Sequence, residues 1–279
     1  MTSDSFESFK ATQRQVWKSF APLAQATTPS AARLVHFAGV RPGQKVLDVG
    51  CGTGVVAITA RRVGAVVTGV DLTPELLAVA KENATIAGLD DIAWKEGDVE
   101  NLPFADGEFD MVLSQFGHIF APRPELAIKE MLRVLKRGGI IAFHTWPPEA
   151  LFGRVFAVVS RYMPPTPEPK PVPPWQWGDP TIVLQRLGTT VRDVAFDRGL
   201  QVTPALSPQH YRHQVEQSGG PMVRLLQMLK DDPARLAEFR HEYDEIVSQY
   251  FDRNVVRQDF LETRAIKVSG PRQAEDGES

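Results

Sequence analysis

The chain has 279 residues, 43% of them hydrophobic and 23% charged, the composition of an ordinary globular protein able to bury a full core. At this length one large domain, or one with a sizeable appendage, is expected, since single α/β domains reach roughly 200–250 residues. A net charge of −3 supplies no whole-chain basic field for a polyanion, and the lone cysteine, Cys51, excludes an intramolecular disulfide.

The first residues lack a basic segment followed by an apolar run, and no stretch of about 18 apolar residues occurs. A soluble, cytoplasmic protein is therefore expected. Phe6, Phe9, Val16, Trp17 and Phe20 then form one helical stripe, interrupted by Gln13. This periodicity fits equally a helix packed on a sheet and a helix closing over a substrate cavity. From 44 to 146 short apolar runs alternate with helical patterns, the signature of βαβ units and a parallel sheet. The strands predicted are Lys45–Val49, Ala65–Val70, Ile92–Gly97, Phe109–Ser114 and Gly139–Trp146. Helices are predicted over Val55–Val63, Pro74–Ala87 and Glu125–Leu135, the last ended by Gly138-Gly139. Residues 163–177, MPPTPEPKPVPPWQW, predict extended, polyproline-like chain. Thr189–Phe196 reads as a strand, Ser207-Pro208 and Asp232-Pro233 as helix starts, and Phe260–Val268 as a last strand. Leu236, Phe239, Tyr243, Ile246, Val247 and Tyr250 line one helical face, and the final residues form a frayed tail.

The most informative stretch is Val46-Leu47-Asp48-Val49-Gly50-Cys51-Gly52-Thr53-Gly54, a strand entering a glycine turn and then a helix. Its spacing is G-x-G-x-G; the third glycine of a dinucleotide G-x-G-x-x-G fingerprint would fall at Val55, which disfavours a nicotinamide oxidoreductase. Asp48 precedes the turn, within reach of a cationic amino group lying over it. Asp71 ends the next predicted strand, 21 positions after Gly50, where a carboxylate can accept both hydroxyls of a ribose. Asp98 ends the third, where it can accept from an adenine amino group while Val99 donates its amide. An acid at a strand end is commonly a helix cap or a solvated loop residue. Three in register with a glycine turn, at the sheet edge where open α/β folds bind ligands, point instead to one site.

VLDVGCGTG, TGVDLTPELLAVAK, EGDVENLPFADGEFDMVLSQFG and MLRVLKRGGIIAFHTW, in that order, resemble the motif set of class I S-adenosylmethionine-dependent methyltransferases. The likeness is strongest to the small-molecule subgroup containing the ubiquinone/menaquinone-biosynthesis C-methyltransferases, and it covers about residues 40–150. The resemblance implies an α/β, Rossmann-like, seven-stranded mostly parallel sheet, the last strand antiparallel, with helices on both faces. It also implies a helical N-terminal cover over 1–40, a core over 41–200 and 256–270, a helical insertion over 201–255 between strands six and seven that covers the substrate, and a disordered tail over 271–279. S-adenosylmethionine is the implied methyl donor, with S-adenosylhomocysteine as product. Asp48, Gly50, Cys51 and Gly52 are the implied contacts around the methionine part, Asp71 the ribose ligand, Leu72 an adenine wall, and Asp98 with Val99 the adenine reader. Ser114 and Gln115 are further implied cofactor contacts, and Gln115 with Phe116 follows strand four, where the family bridges cofactor and substrate.

The implied reaction is in-line displacement of a methyl group from a positive sulfonium onto a small, apolar or aromatic metabolite. Orientation in a dry pocket supplies much of such an acceleration, about 7–11 kcal/mol at best. His118, just after strand four, is the candidate general base, with His144, Tyr162 and Tyr211 as further candidates. For both histidines a plain structural role outweighs the catalytic reading. Trp17, Phe20, Phe116, Trp146 and Tyr211 are expected to line the substrate pocket, and Trp175 and Trp177 are further aromatics able to do so or to sit in the core. Cys51 reads as a packing residue. The stretch Ser114-Gln115-Phe116-Gly117 lacks the Asn/Asp-Pro-Pro-aromatic signature of amino-methylating nucleic-acid enzymes, so no nucleic-acid partner is expected. A protein or RNA acceptor and a non-enzymatic cofactor-binding partner protein remain as alternatives, and the oligomeric state is open. His210 with His213 makes no metal set, so no metal is expected.

Overall fold

The structure is a computed structural model describing residues 6–164, 168–218 and 220–268. The tail expected over 271–279 as disordered, and part of the proline-rich stretch, lie outside the described residues. Strands β1 (Lys45–Val49), β2 (Val66–Asp71), β3 (Ala93–Glu96), β4 (Phe109–Gln115), β5 (Leu135–Thr145), β6 (Val191–Pro204), β7 (Phe251–Asp252) and β8 (Val255–Lys267) form one sheet. Its order is β3-β2-β1-β4-β5-β8-β6. β1 to β5 run parallel, and β8 lies antiparallel between β5 and β6.

The sheet has eight strands rather than the expected seven. The addition is β7, which folds back on the start of β8, pairing Phe251 with Val256 and Asp252 with Val255. The turn residues Arg253 and Asn254 both have positive φ, at 47° and 63°, which suits the right-handed twist of a two-residue hairpin. The expected antiparallel last strand is β8, running the length of β6.

Helices are α1 (Glu7–Trp17), α2 (Ala21–Ala24), α3 (Thr28–Ala38), α4 (Val55–Arg62), α5 (Pro74–Ile86), α6 (Pro124–Val134), α7 (Leu151–Tyr162), α8 (Pro180–Leu187), α9 (Pro208–Ser218), α10 (Gly220–Leu229) and α11 (Pro233–Ser248). Interior strands are apolar in succession because both faces are covered. On one face Val46, Met111 and Leu113 meet Leu34 of α3 and Val56 of α4; on the other, Leu47, Val112 and Phe143 meet Met131 of α6 and Val183 of α8. A third cluster joins α7, α9, α10 and α11 to Val256 and Ala205 beside the sheet.

Several expectations are corrected. α6 stops at Val134, and Gly138-Gly139 lies inside β5, where the pairing with β4 shifts register. A Cβ at Gly139 would stand 2.8 Å from the Asp110 carbonyl oxygen, so glycine is needed for close strand approach rather than to end a helix. β6 continues to Pro204, so residues 201–204, expected to be helical, are strand. The end of the proline-rich stretch is not extended: Pro174–Gly178 makes a 3-10 turn that buries Trp177. The N-terminal stripe packs against α10, not flat on the sheet: a Cβ at Gly220 would lie 3.2 Å from the Trp17 ring.

β5 reaches its last pairing with β8 at Thr145–Leu261, whereas β6 and β8 go on pairing through Pro204–Val255. Beyond the carboxyl edge of β5 the two therefore form a projecting ribbon. The ribbon, the carboxyl ends of the parallel strands and the helices of the third cluster enclose the space described next.

Candidate active site

A cavity of about 300 Å³ opens at the carboxyl ends of β1, β2 and β4, the edge where open α/β sheets hold ligands. One end is the glycine turn. Gly50, Gly52 and Gly54 have φ of 63°, 52° and 84°. At Gly50 a Cβ would also stand 2.8 Å from the Cα of Gly117, in the loop after β4. That position thus needs glycine twice over, for its backbone angle and for the contact between two loops.

Around the turn stand the three acids. Asp48 is buried; its Oδ2 accepts from the Ala57 amide at 3.0 Å, while Oδ1 has no partner among the described residues. Burial pushes its carboxyl up to about 7, against the Ala57 hydrogen bond and with a smaller push from Asp71. Asp71 accepts from the amides of Gly52 and Thr73, both at 2.8 Å, which fixes the carboxylate at the end of β2. Burial raises its carboxyl too, with those backbone donors opposing. Each oxygen keeps a further lone pair. Asp98 accepts from the Glu100 amide at 2.9 Å and pairs with Lys10 of α1 at 2.7 Å. Leu72, Val99 and Cys51 line the same wall. The Cys51 thiol is buried and pushed well above its usual range, as befits packing rather than reactivity.

The orphaned Oδ1 of Asp48, the glycine cradle and the strand-end carboxylates fit a ligand with a cationic amino group and a ribose. Ser114, expected at this site, is not on the cavity wall. Its hydroxyl donates to the Val49 carbonyl at 2.6 Å and so ties β4 to β1. Gln115 is on the wall, with its amide nitrogen bound to the Thr27 carbonyl at 3.0 Å and to the Ser30 hydroxyl at 2.8 Å.

All five residues expected in the substrate pocket, Trp17, Phe20, Phe116, Trp146 and Tyr211, line the cavity. Phe116 has φ of 61°, a left-handed backbone that a bulky residue seldom adopts, and its ring stacks on Trp146 at 3.9 Å and 9°. Trp17 meets Phe120 at 4.6 Å and Phe20 at 5.5 Å, so α1 roofs the space with aromatic rings. Trp175 and Trp177 are not on the wall; Trp177 sits in the core under the Arg186 guanidinium.

The histidines argue against a base. The His118 ring is fully buried, with Nδ1 2.9 Å from the Ser114 hydroxyl and its faces near Phe143 and Trp177. Burial, with smaller contributions from Arg186 and His144, pulls its imidazole down to about 3, leaving a weak proton acceptor near neutral pH. His118 thus reads as a core residue. His144 is off the wall: it meets Glu262 at 2.7 Å across β5 and β8, and Arg33 binds the other Glu262 oxygen. Tyr162 donates to Glu242 of α11 at 2.7 Å and is likewise absent from the wall.

Sequence reasoning missed Lys10, Gln201, Thr203, Tyr243 and Gln258, all on the wall. On β6 the signal was present but inverted. Gln201 and Thr203 face inward while Leu200 and Val202 are 41% and 43% exposed, the reverse of the usual alternation.

A family profile described as a methyltransferase domain matches residues 47–143. A protein of Mycobacterium tuberculosis, itself uncharacterized, is 36% identical over 254 residues, covering 90% of this chain and 92% of that protein. A demethylmenaquinone methyltransferase of Staphylococcus aureus is 38% identical over 138 residues, 48% of this chain and 56% of that enzyme. The YcgJ protein of Bacillus subtilis shares the fold, with a TM-score of 0.57 at 21% identity over 86% of this chain and 99% of that one. With the motif order, strand order and glycine turn on the page, the chain belongs to the class I S-adenosylmethionine-dependent methyltransferases.

Proposed function

We propose that the protein transfers a methyl group from S-adenosylmethionine to a small, largely apolar or aromatic metabolite. The observation that carries this reading is the single cavity that joins three strand-end carboxylates and a glycine turn at one end to a wall of stacked aromatic rings at the other. Bound at the glycine end, the donor supplies a methyl group on a positively charged sulfur, open to in-line displacement. Asp48 holds the amino group of the methionine part, the Gly50 and Gly52 backbone gives it room, and Asp71 takes the ribose. Asp98 and Val99 meet the adenine, with Leu72 against its face. Phe116, Trp146, Trp17 and Phe20 exclude water and align the acceptor, so orientation carries the largest share of the acceleration. Cover roles fall to α1 and to α9 through α11, which wall the cavity with Trp17, Tyr211 and Tyr243. A dedicated base is not part of this reading, given His118 at about 3, so the acceptor brings its own nucleophile.

The test is methyl-labelled S-adenosylmethionine with fractionated extract of the source cell. Label is expected in the low-molecular-weight or lipid fraction. Label in protein or RNA overturns the acceptor class and leaves the donor standing; absence of S-adenosylhomocysteine binding by calorimetry overturns the donor.

A further inference from the structure

Five side chains on the cavity wall are at least nine-tenths buried yet hold hydrogen-bonding capacity that nothing in the described protein uses. They are Gln201 (6% exposed), Thr203 (6%), Gln258 (7%), Tyr211 (8%) and Tyr243 (2%). Gln201 and Gln258 are cross-strand partners on the projecting ribbon. Gln258 donates to the Thr203 hydroxyl at 2.9 Å and Gln201 accepts from Ser30 at 3.3 Å. The Gln201 amide nitrogen, the Gln258 amide oxygen and both phenol oxygens have no hydrogen bond among the described residues. None of these four atoms is among the fully enclosed unpartnered groups. Buried polar groups are normally satisfied, because leaving one without a partner forfeits its lost hydration. Four such atoms around one cavity, beside the Thr203 hydroxyl proton, describe a ligand's polar function.

The charge on the wall narrows the ligand. Asp48, Asp71 and Asp98 belong to the glycine end, and Lys10 is paired with Asp98 and Glu100. Among the described lining residues no other lysine and no arginine appears, so neither an anion nor a cation at the ribbon would meet a counter-charge. Burial raises both phenols, so they stay protonated and donate.

We propose that Gln201, Thr203 and Gln258 of the ribbon, with Tyr211 and Tyr243 of α9 and α11, form the subsite for an uncharged oxygen function, a carbonyl or hydroxyl, on an otherwise apolar methyl acceptor. The phenols and the Gln201 amide donate to that oxygen, and the Gln258 carbonyl receives a hydroxyl proton where there is one. This rests on the methyltransferase reading above, which supplies the donor at the other end.

The test is equilibrium dialysis of the full chain, with and without S-adenosylhomocysteine, against three probes of one shape: 2-naphthol, 2-methylnaphthalene and 2-naphthoate. 2-Naphthol is expected to bind at least as tightly as the more apolar methylnaphthalene, and naphthoate more weakly than either. Tyr211→Phe and Tyr243→Phe remove oxygens that hold nothing in the protein, so the thermal midpoint should not fall. Each should weaken naphthol about three- to tenfold, the worth of one hydrogen bond, and leave methylnaphthalene within about twofold. Equal loss for both probes, or tightest binding of naphthoate, overturns the subsite. Failure of all three probes while S-adenosylhomocysteine binds overturns it also and spares the methyltransferase reading. Loss of S-adenosylhomocysteine binding with the naphthol preference intact does the reverse.

Discussion

The two ends of the cavity recognise by opposite means. At the glycine end the chain presents buried carboxylates and bare backbone; at the ribbon end it presents amides, phenols and rings without a formal charge. The glycine end is built by βα turns on a rigid parallel sheet, the ribbon end by strands extended beyond that sheet and by helices with their own apolar cluster. A fixed cationic donor suits the first, and a neutral acceptor the second. On the proposed reading, the contrast teaches that charge is confined to the part of the pocket assigned to the constant partner.

The severest break of the glycine end is Gly50→Ala. Its Cβ would meet Gly117 at 2.8 Å in a left-handed backbone. Strain of about 1–3 kcal/mol should lower the thermal midpoint by roughly 3–10 °C, and S-adenosylhomocysteine binding should vanish from calorimetry. Asp71→Ala comes next. Losing the ribose hydrogen bonds is expected to weaken the same ligand by more than about tenfold, while an unchanged Kd would remove the ribose assignment.

Asp48→Asn separates binding from stability. The carboxyl is raised to about 7 from an ordinary 3.8 by burial, so its contribution to stability is full below about pH 4 and is lost as pH rises through 7. The amide keeps an acceptor for Ala57 and carries no charge. At pH 8 the variant should therefore melt higher, by an amount on the order of 2 kcal/mol, and the gain should shrink at pH 5, read by calorimetric scans. Its S-adenosylhomocysteine affinity should fall at both values. Smallest of all is Arg14→Ala, which removes an exposed pair with Glu96 at 3.3 Å. Stability is expected to change by less than about 0.5 kcal/mol, read by calorimetric scans; a larger loss would show that α1 is fastened by its charges rather than by Trp17.

The glycine end was legible in the sequence because its chemistry is local. Strand, turn and acid follow one another within a few residues, as in Val46 to Gly54 and Val67 to Asp71, and local order survives folding. The sheet's parallel half was legible for the same reason, helices and strands alternating at short range. The ribbon end was not. Gln201 and Gln258 become neighbours only through a pairing 57 residues apart in number (258 minus 201), and on β6 the apolar residues Leu200 and Val202 point outward. Alternation read alone would place them in the core. At His118 a third cause operates: it borders the cavity, as its position after strand four suggests, but its ring packs against Trp177, a contact with a distant turn that spacing does not reveal.

The meeting of Gly50 with Gly117 has an engineering consequence. Where two turns touch main chain to main chain, the gap between the proposed donor cradle and the proposed acceptor space is set by atoms that no rotamer can alter. That makes the junction a gauge block: a fixed spacer against which everything softer is adjusted. Altering which molecule is methylated should then be a matter of recutting the ribbon and the helices above it, with residues 50 and 117 left as they are.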